Sequence, residues 1–197
     1  MRKKSHISLA RYIVDTLGDE NLKKHKFSFY LGSILPDIKP SFIYKRHEME
    51  ATYPDISRHI KRLSEGQKLI EQEKAGIKYY MDLGQISHYL ADYFTFPHNK
   101  TYQGSLKDHC SYEQKLKEDL REYLLSRNAD KLVNALPEFD SAESLCEYIK
   151  RSHDEYLAKK HNVESDIFHI IKINQMAMNA MLLLLAMNRL EYQLQFA

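Results

Sequence analysis

The string His88 to Asn99, HYLADYFTFPHN, places a histidine and an aspartate four residues apart and a second histidine just beyond a proline. On a helix, His88 and Asp92 share one face. That face is otherwise apolar, with Leu83, Ile86, Tyr89, Leu90 and Phe94 in neighbouring positions. A carboxylate directed at a core is costly unless it is paired or holds a metal. His98 follows the rigid Pro97 and can turn back toward the same region. A second string, HCSYE, repeats the four-residue spacing with His109 and Glu113. Imidazole and carboxylate on one helical face form a normal zinc half-site. One such pair alone is more often a surface ion pair or a satisfied core histidine. Two pairs on consecutive segments, with a third histidine between them, point to metal chemistry.

Other residues of the same chemistry lie upstream. His6 stands near the start, GSILPD carries Asp37, and His47 follows it. His59 is an alternative to His47, which is preferred because it closes an irregular connection. His25, His153, His161 and His169 read as surface or core residues.

The elements that position these groups are read from apolar spacing. Residues 5–17 carry Ile7, Ala10, Val14 and Leu17 at helical intervals, with Gly18 as the stop. Residues 27–35 form a second apolar stretch ended by Pro36. The three prolines of 36–55 predict a long irregular connection. Helices are expected over 56–74, 77–95, 106–125, 141–160 with Ser141 as cap, and 166–194. The last is apolar on nearly all faces around 181–186, as a helix at the centre of a bundle is.

Composition agrees. With 43% hydrophobic and 28% charged residues the 197-residue chain reads as globular, and 6 Gly and 5 Pro leave room for long helices. The expectation is an all-α multi-helix bundle, one domain over 1–197. A net charge of +2 argues against nucleic acid as a partner. The basic start lacks a signal-peptide pattern, and the apolar run 176–187 is about half of the roughly 20 residues that span a bilayer. Cys110 and Cys146 make no disulfide framework and read as reduced thiols. A cytoplasmic protein without a transmembrane segment is expected. The oligomeric state has no signature in the sequence.

Taken in order, His6, Gly32 to Asp37, His47, the HxxxDxxxxxH of His88, Asp92 and His98, and the HxxxE of His109 and Glu113 resemble the zinc-dependent phospholipase C family, which is related to single-strand-specific zinc nucleases. The resemblance implies a helical bundle with a polynuclear zinc site. Asp37, His47, His88 and Asp92 would hold one zinc, and His98, His109 and Glu113 a second. His6 and a shared Asp92 would contribute to a third. Secreted members supply that third zinc with the amine and carbonyl of a processed N-terminal Trp. This chain has no Trp, and the five residues before His6, three of them basic, leave little slack. Two firm zinc sites and a weakly or partly occupied third are therefore expected. The implied activity is hydrolysis of a phosphate ester, such as a phospholipid, by a metal-activated water. Asp37 doubles as the group that orients or deprotonates that water. The rival readings are a catalytically idle metal-binding or interaction domain and a zinc nuclease.

Overall fold

In the computed structural model, residues 1–38, 48–65, 73–126 and 137–195 are described, and among them every regular element is helical. The chain runs α1 (Lys3–Leu17), α2 (Glu20–Lys24), α3 (Lys26–Ile34), a 3₁₀ turn (Leu35–Asp37), α4 (Met49–Ser64), α5 (Glu73–Tyr93), a second 3₁₀ turn (Phe96–His98), α6 (Leu106–Leu125), α7 (Ala142–Leu157) and α8 (Val163–Gln195). The all-α expectation holds.

Two helices organise the rest. α8 packs against α1, α4, α5, α6 and α7. Ile170, Ile171, Ile173, Met176, Ala177, Met178 and Met181 are all buried along it, so α8 is central up to Met181, but the stretch 181–186 that reads as apolar on nearly all faces is only half covered, with Leu183 exposed. α8 has the length and hydropathy of a membrane-crossing helix, but 61% of its most apolar window is buried inside the fold, as for a core helix. The polar pair Ser87 and Asn174 joins α5 to α8 by a buried 2.8 Å hydrogen bond.

α5 lies along α3, and glycine makes this approach close. A Cβ on Gly32 would collide with the Met81 carbonyl, and one on Gly84 with the Phe29 carbonyl. The two backbones therefore touch where side chains would hold them apart. Gly18 ends α1 at φ 71°, a left-handed cap that favours glycine. Ser105 and Ser141 open α6 and α7 with capping boxes, completed by Asp108 and Ser144.

Several expected boundaries move. Residues 49–55 belong to α4 rather than to an irregular connection, and the helix runs through Pro54. Its start is held by tertiary packing: Met49 and Thr52 are buried, and the Thr52 hydroxyl meets the Tyr93 hydroxyl at 2.8 Å. α5 stops at Tyr93, two residues short of the expected end at 95, and the chain turns at once into the 3₁₀ segment bearing His98. The short α2 has too few residues to show a period.

Candidate metal centre

The candidate ligands come from five segments: His6 from the first turns of α1, Asp37 from the turn after α3, His88 and Asp92 from α5, His98 from the turn after it, and His109 and Glu113 from α6. His47 lies outside the described residues. His59, its alternative, sits half-buried on α4 and lines a cleft instead of joining the ligands.

Ligand atoms of His6, Asp37 and His88 lie within 4.8 Å of one another, and those of His98, His109 and Glu113 do the same. Asp92 stands between the two groups with no solvent exposure. Its Oδ1 is 3.3 Å from His6 Nε2, and its Oδ2 is 3.2 Å from His88 Nε2 and 3.5 Å from His98 Nδ1. His6 thus lies within reach both of Asp37 and His88 and of the Asp92 oxygen that the expectation gave it.

The close approach of α3 to α5 sets the orientation of His88. Its Nδ1 donates to the Ser33 carbonyl at 2.9 Å, which leaves Nε2 facing Asp37 at 3.7 Å and Asp92. A backbone carbonyl fixing the far nitrogen of a ligand histidine is the usual supporting contact at metal sites. The Gly and Ser of GSILPD act here: Gly32 admits the neighbouring helix and Ser33 supplies the carbonyl.

The amino terminus corrects an expectation. The five residues ahead of His6 were expected to leave the amine short of the site. Instead Met1 is buried, and its amine donates to Asp92 Oδ1 at 2.6 Å, 3.3 Å from Glu113 Oε1 and 3.0 Å from His98 Nε2. The reach suffices because α1 begins at Lys3. The basic side chains do not oppose it. Lys3 and Lys4 are exposed, and Arg2 docks on α6 through the Cys110 carbonyl and Gln114.

The charges fit a cation-binding centre. Burial alone would raise the Asp92 carboxyl, but the Met1 ammonium, His98, His88 and His6 hold it well below the usual carboxylate range. Burial also opposes ionisation of Glu113, yet its hydrogen bond with His98 and the Met1 ammonium bring it down to about 2. Burial and the neighbouring His88 push His6 down to about 3, so it is a neutral imidazole, the form that binds metal. The rings of His6 and His88 stack with centroids 3.9 Å apart.

The fit to zinc rests on one observation. Both ring nitrogens of His6 are buried and neither has a hydrogen-bond partner. Buried polar atoms are nearly always satisfied. A metal ion beside Asp37, His88 and Asp92 would satisfy one of them with a borderline-soft nitrogen and oxygen donor set that suits zinc. The Met1 ammonium, touching Asp92, His98 and Glu113, is a cation already seated where the second group converges.

Beside the site, Thr52, Asp55, Arg58, His59 and Tyr89 line a cleft of about 410 Å³ between α4 and α5. Tyr89 borders both: its ring centroid is 5.5 Å from that of His88, and Asp92, Asp37 and Asp55 all act on its hydroxyl. Among the remaining histidines, His153 is core, contacting the Tyr93 carbonyl and Asn99, and His25 stacks on Tyr80. Met1 and the Ser33 carbonyl have no side-chain signal in the sequence, and the spacing rules pass over them.

This is an all-helical protein whose inward-facing histidines and carboxylates converge in two metal-sized groups joined by one aspartate. The family model for zinc-dependent phospholipase C matches residues 5–163, well over half of the chain. The chain belongs to the zinc-dependent phospholipase C family. No curated protein and no solved structure matches it.

Proposed function

We propose that this protein is a zinc-dependent phosphoester hydrolase of the phospholipase C type. His6, Asp37, His88, Asp92, His98, His109 and Glu113 are its metal ligands, with His47 assigned to the same set by family order. The observation that carries the reading is Asp92, a fully buried carboxylate shared between two histidine and carboxylate groups, next to a buried His6 whose nitrogens make no hydrogen bond and whose Nε2 faces Asp92 Oδ1 at 3.3 Å. Zinc held there would polarise a phosphoryl oxygen and acidify a water near neutrality.

The chain's own residues supply the rest. The Ser33 carbonyl fixes the His88 tautomer. Asp37, with 11% of its side chain open, is placed to accept a proton from the attacking water. Tyr89 and the adjoining cleft receive the alcohol portion of the ester. The Met1 amine, once deprotonated, would add a nitrogen donor beside Asp92 and His98. The free thiols of Cys110 and Cys146 suit a cytoplasmic setting.

The test is turnover of aryl phosphomonoesters, phosphodiesters and phospholipids by zinc-loaded protein. Hydrolysis of at least one, abolished by chelator and restored by zinc, is expected. Failure across all three substrate classes by fully metallated protein overturns the assignment.

A further inference from the structure

Asp166 lies in the first turn of α8, beyond the last residue that the family model matches. Its side chain is fully buried. Three neutral donors converge on it. The Phe96 N–H reaches Oδ2 at 2.8 Å, the Tyr112 hydroxyl reaches Oδ2 at 2.9 Å, and the Tyr156 hydroxyl reaches Oδ1 at 2.7 Å. A buried carboxylate held only by uncharged donors is costly, so the arrangement needs a reason.

The partners supply one. Phe96 opens the 3₁₀ turn that ends in His98. Tyr112 precedes Glu113 on α6, three residues after His109. One oxygen of Asp166 therefore ties together the two segments that carry the His98, His109 and Glu113 group. The other oxygen goes to Tyr156 on α7, a helix that carries no candidate ligand. The helix N-terminus under Asp166 favours a negative charge and holds the carboxylate in place.

We propose that Asp166 is the positioning residue of the second metal group, fixing the turn of His98 against the helix of His109 and Glu113. The inference rests on those three residues being ligands. Outer contacts of this kind typically change metal affinity by about 10–100-fold when removed.

The asymmetry of the three hydrogen bonds provides the test. Tyr112→Phe and Tyr156→Phe each remove one hydroxyl from the same carboxylate, but only Tyr112 belongs to a ligand-bearing helix. Asp166→Asn can keep its amide oxygen on Phe96 and Tyr112 and turn its amide nitrogen toward the Tyr156 hydroxyl. Asp166→Ala breaks all three ties. Zinc affinities are read by competition with a chromophoric chelator, and the cobalt(II)-loaded proteins are compared by visible absorption.

Asp166→Ala is expected to weaken one metal equivalent by about 10–100-fold and to alter its cobalt spectrum. Tyr112→Phe should move the same equivalent in the same direction. Asp166→Asn and Tyr156→Phe should stay within about threefold of the parent, an allowance of under 1 kcal/mol. If Asp166→Ala does not fold, the two tyrosine variants decide alone. Unchanged affinity in Tyr112→Phe, equal weakening by both tyrosine variants, or parallel weakening of both equivalents overturns the proposal. A parent chain that binds no metal refutes the ligand assignment itself, a result distinct from parent binding with indifferent variants.

Discussion

Asp92→Asn separates a metal-bridging carboxylate from a carboxylate that serves only as a counter-ion. Asn keeps the size and one acceptor oxygen but removes the charge that faces His6, His88, His98 and the Met1 amine. Without metal, the change leaves the Met1 ammonium buried and without its shortest ion pair, a loss of about 3–5 kcal/mol for a broken buried pair. That cost is present with or without zinc, so the informative quantity is the stabilisation that zinc adds. With free zinc at about 100 times Kd, binding adds about 2.7 kcal/mol to the parent. If losing the shared ligand raises Kd about 100-fold, the same zinc adds only about 0.4 kcal/mol to the variant. At about 2–4 °C per kcal/mol for a chain of this size, the parent melts about 5–11 °C higher with zinc than with chelator, and the variant about 1–2 °C higher. The assay is a pair of calorimetric melts at pH 7 for each protein, one in zinc and one in chelator. Equal zinc-induced shifts in the two proteins would refute a bridging role for Asp92.

Gly84→Ala places a methyl group against the Phe29 carbonyl and should cost about 1–3 kcal/mol by overpacking, read as a lower urea midpoint; an unchanged midpoint contradicts the close α3–α5 contact. In the folded protein near pH 8 a thiol reagent should label the exposed Cys110 and spare Cys146, which is 7% exposed and pushed up to about 11 mainly by burial; both should label in denaturant. In the metal-free protein His6 sits at about 3 against 6.5 unfolded, so the unfolded chain binds more protons between those values and stability falls with falling pH. From pH 7 to pH 5 the loss attributable to His6 is about 2 kcal/mol, and His6→Gln should remove that part of the slope in denaturant titrations at the two pH values.

The bundle was legible because helical spacing of apolar residues and sparse glycine and proline are local signals. The pairs His88–Asp92 and His109–Glu113 were legible for the same reason: four residues on one helix fix their common face wherever that helix packs. Groups whose role depends on tertiary approach were not. The partners of His6 depend on how α1 crosses α5, and sequence order gave no reason to seat it with Asp37 and His88. The reach of the Met1 amine depends on α1 beginning at Lys3, and residue counting misjudged it. Pro54 reads as a breaker, yet α4 runs through it because Met49 and Thr52 are held in the core. Asp166 reads as an ordinary acid in a first helical turn, and only the packing of α6 and the His98 turn against α8 gives it three partners.

The same packing explains how an acidic cluster can sit inside the protein before any ion arrives. Asp92 is fully buried and Glu113 half-buried, and together they would repel each other and resist desolvation if left bare. Burial would push the Met1 amine toward its neutral form, but Asp92 and Glu113 hold its proton on; His98 is likewise raised, by Asp92 and Glu113, against burial and the ammonium. Both shifts favour protonation where the second metal group converges, on atoms that a metal would need as lone-pair donors. Binding a dication there would displace such protons, so metal affinity at this group should rise with pH. The first group is prepared differently. His6 is neutral in advance, and the His88 tautomer is fixed by the Ser33 carbonyl. One half of the centre is favoured as a protonated cluster, the other carries the neutral His6, and Asp92 is the charge that both halves share.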